Sequence, residues 1–553
     1  MRIRFTTDAR PMQVPRAGAH NPAMPHTHRL APGPERVDES RSWSLWTAAA
    51  TRALEERARA ELPPGTLMRR AGESVARLAR ALAPHARRAW VAAGPGGNGG
   101  DGLHVAADLQ HAGLEVVVTL VADAGALAAE PAQGLQRARE AGCRIGPDLP
   151  ETGADVSIDA LLGLGASRPP ATAMRAAIEA FNSMAGLRLC VDMPSGLQAD
   201  TGDLLGGIAA RGHSTLGLLT LKPGLFTGAG REHAGQVWFD DLACTPAAGA
   251  APAARLPSAA DVAAALPARS HDRHKGSFGD VVVVGGAPGM LGAARLAAQG
   301  ALCAGPGRVF VSPLDPDQAL ADPQHPEWLW VAQAWLPGRR ALESDTVVCG
   351  CGGGWAVAQA LPDLLARAAR MVLDADALNA LVRDESLRRQ LRARQTRGQA
   401  TVLTPHPLEA ARLLGTDTAR VQSDRLQAAD ALARAFGAVV VLKGSGSVVA
   451  CEGRLPVINP TGSASLSVGG TGDVLAGWIG GLWAASRDSG LDDASTGWQC
   501  ALAAAWLHGQ AGARPGGSPA RAGTLAEDMA RLAEVWRART GADLLSAGRA
   551  CGQ

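Results

Sequence analysis

Val468-Gly469-Gly470-Thr471-Gly472-Asp473-Val474-Leu475-Ala476-Gly477 decides how the second half of this chain is read. Consecutive glycines ahead of an apolar helical run leave backbone amides free to surround an anion, and the helix N-terminus adds its dipole. Asp473 falls in the first turn of that helix. There it can accept a hydroxyl proton from a substrate lying beside a bound phosphate, which marks the stretch for phosphoryl chemistry. A simple helix cap is the competing explanation.

Outward from that stretch, the second half alternates short β-branched runs with longer amphipathic ones. The pattern predicts strands at Asp280–Gly285, Arg308–Val311, Thr346–Cys349, Arg370–Asp374, Ala400–Thr404 and Ala438–Leu442. The first half reads the same way, with strands predicted at Ala89–Ala92, Glu115–Val121, Val156–Leu161, Arg188–Asp192, His213–Leu221 and Gln236–Phe239. Helical stretches such as Gly102–Ala112 and Ala171–Met184 lie between several of them. Strands separated by helices imply βαβ units, so each half is expected to be a three-layer α/β/α domain with a mostly parallel sheet. Chemistry in such sheets gathers in the loops beyond the carboxyl ends of the strands.

Three strand ends in the second half carry polar groups. Lys443-Gly444-Ser445-Gly446-Ser447 suits nucleotide phosphate or ribose, Thr404-Pro405-His406-Pro407 holds His406 in a stiff loop, and Asp374-Ala375-Asp376 adds carboxylates. In the first half, Gly94-Pro95-Gly96-Gly97-Asn98-Gly99-Gly100-Asp101-Gly102 joins a strand to a helix expected to start near Leu103, a candidate phosphate cradle. Its spacing is not the dinucleotide fingerprint. Asp159 lies in an apolar run ahead of a glycine loop, and Asp192 stands at a strand tip before Met193-Pro194-Ser195-Gly196. A carboxylate at the end of a buried strand is costly unless a cation, a ligand or backbone amides receive it.

Composition narrows the partners. The 553 residues are 46% hydrophobic and 19% charged with a net charge of +2, and they show neither a basic stripe nor an apolar run long enough to span a bilayer. Nucleic acid and membrane are therefore not expected partners. The nine scattered cysteines lack paired CxxC spacing, which argues against a disulfide framework or zinc site and fits a reducing cytoplasm. Of 54 basic residues only Lys222, Lys275 and Lys443 are lysine, so these sites are candidates for a compact ammonium that arginine cannot replace. Residues 1–41 are proline-rich and unpatterned, expected as a disordered extension. A small-residue linker over 243–256 separates a first domain (42–242) from a second (257–545).

Leu67-Met68-Arg69-Arg70-Ala71-Gly72, Gly96–Gly102, Asp159-Ala160-Leu161-Leu162-Gly163 and Asp192-Met193-Pro194-Ser195-Gly196 together resemble the NAD(P)H-hydrate epimerase family over roughly Ser42 to Leu242. The resemblance implies a Rossmann-like domain in which Gly97, Asn98, Gly99, Gly100, Asp101 and the loop Gly163, Leu164, Gly165, Ala166, Ser167, Arg168, Pro169 contact the hydrated cofactor. It implies a potassium ion held by Asn98, Asp159 and Ser195, with Asp192 at the reacting nicotinamide. Gly97 stands where the family usually has Asn.

The second half is similar to the ADP/ATP-dependent NAD(P)H-hydrate dehydratase family, of ribokinase-like fold, over roughly Pro257 to Trp536. That likeness implies substrate contacts from Ala293, Gly352, Gly354, His406 and Asp473. It also implies adenine nucleotide on Lys443, Gly444, Ser445, Gly446, Ser447 and Gly472, with magnesium at the phosphates. Departures are Gly350-Cys351-Gly352-Gly353-Gly354 for the family's Gly-Pro-Gly-Leu-Gly, Leu408 for Gly, and Ser463 for Asn. The expectation is a cytoplasmic homo-oligomeric repair enzyme. It epimerises the hydrates NADHX and NADPHX through Asp192 and dehydrates the S form through Asp473 at the expense of ADP. The alternative is a ribokinase-like vitamin-precursor kinase with a non-catalytic first domain.

Overall fold

The strand Asp280–Gly285 points Val281 and Val283 into one apolar cluster and Val282 and Val284 into another. Such a strand needs cover on both faces. Helices Leu291–Ala304, Thr471–Ala485 and Asp493–Gly512 supply it on one side, and Val357–Arg367 and Arg425–Phe436 on the other. The structure, a computed structural model, describes residues 33–550 apart from 152, 268, 270, 319 and 320, with no side-chain description at 515 and 538–550. Of the extension expected over residues 1–41, residues 1–32 lie outside the described residues.

Asp280–Gly285 sits inside an eleven-stranded sheet that runs in the order Leu329–Trp330, Arg308–Pro313, Asp280–Gly285, Thr346–Cys349, Arg370–Leu373, Ala400–Leu403, Val439–Leu442, Val448–Ala450, Val457–Ile458, Ala254–Leu256, Trp43–Leu45. Pairing is parallel from Leu329–Trp330 through to Val439–Leu442, antiparallel from there to Val457–Ile458, parallel again between Val457–Ile458 and Ala254–Leu256, and antiparallel at Trp43–Leu45. The first half forms an eight-stranded sheet, ordered Glu35–Arg36, Gln236–Asp240, Ser214–Leu218, Leu187–Val191, Val156–Ala160, Arg88–Ala93, Glu115–Leu120, Arg144–Gly146, parallel except at its first pair. Helices Thr66–Leu82 and Gly97–His111 cover one face, and Thr172–Ser183 packs Ile178 and Phe181 beside Trp90 and Ala92 on the other. Both halves are thus three-layer α/β/α, and every strand expected from the pattern is present.

The halves are more interlaced than the sequence pattern suggests. Ala254–Leu256, inside the stretch expected as linker, is a strand parallel to Val457–Ile458, and Trp43–Leu45 pairs antiparallel to it. Leu45, Ala254, Leu256 and Ile458 share one buried cluster with Leu221 and Phe226 of the first half. Glu35–Arg36, inside the expected extension, is an edge strand of the first sheet. Strands of two or three residues are too short to leave an alternation signature.

A second difference concerns the glycine loop. The helix expected near Leu103 begins six residues earlier, at Gly97. Its early glycines satisfy packing: a Cβ on Gly99 would lie 1.9 Å from the Gly94 carbonyl oxygen, and one on Gly102 would lie 2.5 Å from Ala160 Cβ. A glycine-dense helical start reads as a loop because glycine disfavours helix intrinsically. Here tertiary contact overrides that preference.

Candidate functional site

At the carboxyl ends of the first sheet's strands lies a cavity of about 480 Å³. Of the residues expected there, Gly97, Asn98, Asp101, Gly163, Leu164, Gly165, Ala166 and Asp192 line it. Gly99, Gly100, Ser167, Arg168 and Pro169 do not. The two glycines are buried in helix packing, and Pro169 faces Gly206. Helix Ala48–Glu61 adds Glu55 and Arg59 to the lining. Sequence gave no signal for them, since charges on an amphipathic helix read as a solvated face.

Asp192 follows Leu187–Val191 with φ 63°, a left-handed conformation that is strained for a residue bearing a Cβ. Its backbone N–H donates to Leu216 O at 2.8 Å, and Leu218 N–H donates to its Oδ1 at 3.1 Å. Lys222, wholly buried, donates to the same oxygen and, at 2.8 Å, to Leu218 O. Among the described residues none donates to Oδ2. The scarce lysine is thereby explained, because a buried ammonium needs the carboxylate and the carboxylate needs the ammonium. Burial, then repulsion from Asp192 and Glu55, pushes the Asp101 carboxyl well above its usual range.

Asp159 is wholly buried, and burial raises its carboxyl too. It accepts from Ser195 N at 2.8 Å and from Ser195 Oγ at 2.6 Å. Leu162 N–H donates to Ser195 Oγ at 2.8 Å, and Asn98 Nδ2 donates to Leu162 O at 3.0 Å. The three residues expected to hold potassium thus meet around Leu162. No described basic side chain lies within ion-pair distance of Asp159. A buried carboxylate with amide, hydroxyl and carbonyl oxygens beside it and no counter-cation is chemically fit for a monovalent cation.

The second half repeats the device. Lys443 Nζ lies 2.7 Å from Asp374 Oδ1, which also accepts from Thr404 Oγ1 at 2.8 Å. The following Ala375 has φ 47°, again strained. Burial alone would lower the Lys443 ammonium, but Asp374 and Glu409 outweigh it and hold it above its usual value. Lys275, by contrast, is exposed on a single 3-10 turn, so the lysine argument describes two of the three.

Asp473 opens helix Thr471–Ala485, and its carboxyl stands with the Cys351 thiol and Asp374, their donor atoms all within 4.8 Å of one another. Burial first, then Asp374, raises Asp473 to about 6, against hydrogen bonding from Cys351 and attraction to Lys443. Ala293, Gly352 and Gly354 gather beside it around Met290: a Cβ on Gly352 would lie 2.9 Å from Ala293 Cβ. Met290, Trp355, Leu408 and Val468, each near one of the expected site positions in sequence, are exposed apolar residues. His406 caps helix Pro407–Leu414: its Nδ1 accepts from Leu408 N–H at 3.2 Å and Glu409 N–H at 3.3 Å, and Glu409 Oε2 accepts from His406 N–H at 2.8 Å. The ring is therefore committed to the cap at Nδ1, leaving Nε2 as its proton-bearing nitrogen, 3.3 Å from Glu409 Oε1. Burial raises Glu409 to about 7.

Lys443, Gly444, Ser445, Ser447 and Gly472 line a separate cavity of about 590 Å³, with Thr461, Ser463 and His508. Gly446 turns away from it. A Cβ on Gly472 would lie 3.3 Å from Lys443 Nζ, so the lysine links this cavity to Asp374 and Asp473. Arg231 and Glu232, from the first half, also line it; nothing in their local sequence signals this, because the contact spans more than two hundred residues.

Both halves of the chain are similar to known proteins. A family described as NAD(P)H-hydrate dehydratase matches residues 281–533, and one described as the N-terminus of YjeF-related proteins matches residues 64–224. A bifunctional NAD(P)H-hydrate repair enzyme of Escherichia coli is 37% identical over 429 residues, 75% of this chain and 80% of the relative. One of Coxiella burnetii is 34% identical over 473 residues, 84% of this chain and 93% of the relative. Among solved structures, an ADP/ATP-dependent NAD(P)H-hydrate dehydratase of Bacillus subtilis, co-crystallised with ATP and Mg2+, aligns at 27% identity with a TM-score of 0.41, over 50% of this chain and 97% of its own.

Proposed function

Because the chain belongs to the bifunctional NAD(P)H-hydrate repair enzyme family, we propose that its halves act in series, the first interconverting the R and S hydrates and the second dehydrating the S form to NAD(P)H. The observation that carries this reading is Asp473, held at a helix N-terminus beside the Asp374–Lys443 pair and adjoining the cavity lined by Lys443, Ser445 and Gly472.

In the second half, Asp473 takes the substrate's hydroxyl proton as the hydroxyl oxygen attacks the terminal phosphoryl group of the nucleotide, ADP in our proposal. The amides that open helix Thr471–Ala485 receive the negative charge. Phosphate is then a far better leaving group than hydroxide. The ring nitrogen's lone pair expels it, a proton is lost from the adjacent carbon, and the reduced nicotinamide returns. The trio Cys351, Asp374 and Asp473 does not fit a protein-held magnesium, because magnesium prefers hard oxygen ligands and a thiol is soft. Magnesium is assigned instead to the phosphates of the arriving nucleotide.

In the first half, the ring nitrogen expels the hydroxyl to give an iminium, which water re-adds from either face. Asp192 Oδ2 is suited to carry that proton and steady the cation, with Lys222 holding the opposite oxygen. Asn98, Asp159 and Ser195 are the residues that would hold potassium, which would supply positive charge beside the cavity for an anionic ligand. Potassium in place of tetramethylammonium is expected to raise the melting temperature of the wild-type protein, and Asp159→Asn to abolish that difference. Equal melting temperatures for the wild type in both salts would remove the ion from the proposal.

No described helix is long and apolar enough to cross a membrane. Cytoplasmic placement, which the free thiols of the described cysteines suit, and homo-oligomeric assembly are part of the same proposal. The test mixes both hydrate epimers with the protein, ADP or ATP, magnesium and potassium, and follows absorbance of the reduced nicotinamide. Complete recovery is expected. Recovery that stops when the S form is exhausted sinks the first activity, and none with either nucleotide sinks the second. A stable phosphorylated hydroxymethylpyrimidine, with none of the hydrate consumed, would favour the kinase alternative.

A further inference from the structure

The nucleotide cavity is walled in part by the first half of the chain. Ser445 Oγ donates to Gly228 O at 2.8 Å, and Ser445 O accepts from Gly228 N at 3.2 Å and from Thr227 Oγ1 at 3.4 Å. Gly446 has φ 65°, and a Cβ there would lie 2.2 Å from Phe226 O, so its lack of a side chain is demanded by the first half. Arg231 also lines the cavity, and its guanidinium donates to three successive carbonyls, Pro460 O at 2.9 Å, Thr461 O at 3.1 Å and Gly462 O at 2.8 Å. Thr461 and Gly462 line the cavity themselves.

Resting on the reading of this cavity as the nucleotide site, we propose that Arg231 of the epimerase half is a positioning residue for the dehydratase half: it fixes the Pro460–Gly462 segment and so sets nucleotide affinity. Three convergent carbonyls carry partial negative charge and repel one another unless a cation receives them. A guanidinium is planar, forked and permanently charged, which suits it to bridge several acceptors. Without it the segment is free to relax toward or away from the cavity, and the bound geometry must be reordered whenever nucleotide enters. Arg231 touches neither Asp473 nor Asp192, so the effect belongs to binding and not to the proton transfers.

The test uses the full chain. Arg231→Ala should raise the KM for nucleotide in dehydration by about tenfold or more, with kcat within about threefold of wild type and epimerisation of the hydrate unchanged. Arg231→Lys, which keeps the charge and can reach some of the carbonyls, should give an intermediate KM. A nucleotide KM unaltered in Arg231→Ala, with epimerisation intact, overturns the proposal. If Arg231→Ala loses both activities through misfolding, Arg231→Lys decides: a raised nucleotide KM supports the proposal and a wild-type KM overturns it. A wild-type protein that dehydrates hydrate without nucleotide would instead refute the reading of the cavity, a result distinguishable from either.

Discussion

Asp473→Asn will lower kcat for nucleotide-dependent dehydration by about a thousandfold, within the 10² to 10⁴ range expected for losing a positioned general base, while epimerisation continues at its wild-type rate. Asparagine keeps the shape and the helix position but cannot accept the hydroxyl proton. Because burial and the neighbouring Asp374 raise the Asp473 carboxyl to about 6, wild-type kcat should climb with pH through that value, as the protonated acid gives way to the carboxylate that can act. The same shift has a consequence for stability. A carboxyl whose folded value is raised favours folding fully below its unfolded value near 4, and that contribution is lost as pH rises through about 6. Asp473→Asn should therefore gain melting temperature over wild type at pH 8 and show little gain at pH 4. A variant that dehydrates normally would reduce Asp473 to a helix cap and end the mechanism.

Asp192→Asn will abolish epimerisation and also destabilise the protein, in contrast to Asp473→Asn. Lys222 is wholly buried and Asp192 is its sole ion-pair partner among the described residues. Removing one member of a buried pair strands the other charge at a cost of about 3–5 kcal/mol. Epimerisation should fall by about a hundredfold or more, and R hydrate should persist in the coupled assay while S hydrate is still consumed. Lys222→Met separates the two effects, since it strands the carboxylate instead: a similar fall in stability is expected, with epimerisation impaired but not abolished. Normal interconversion of the epimers by Asp192→Asn would assign the proton shuttle elsewhere in the cavity, where Asp101 is the neighbouring carboxyl.

Much of the candidate site is legible in the sequence because its chemistry depends on residue types that strand ends rarely carry by accident. Asp192, Asp374 and Lys443 stand at or next to strand tips, and Asp473 in the first turn of a helix, so periodicity plus one polar residue located them. The scarcity of lysine marked Lys222 and Lys443 as special without saying what they meet. His406 was legible as a polar tip but not as a cap, since its ring bonds Leu408 and Glu409 amides only once helix Pro407–Leu414 exists. Glu55, Arg59 and Cys351 gave no usable signal of a role, since their partners are assembled from distant segments.

Local pattern by itself determined the two α/β/α layers, because runs such as Val281–Val284 are apolar in every position and can be stable only between two helical layers. It also placed a helix start at the Val468–Asp473 stretch, because glycine density and a following apolar run are properties of adjacent residues, whereas the start at Gly97 came six residues ahead of the one expected near Leu103. The interlacing of the halves through Trp43–Leu45 and Ala254–Leu256, and the place of Arg231 of one half in the lining of a cavity of the other, were settled by the three-dimensional fold alone. Those outcomes rest on burial shared between segments hundreds of residues apart, and the free energy of such contacts leaves no periodicity in either segment alone.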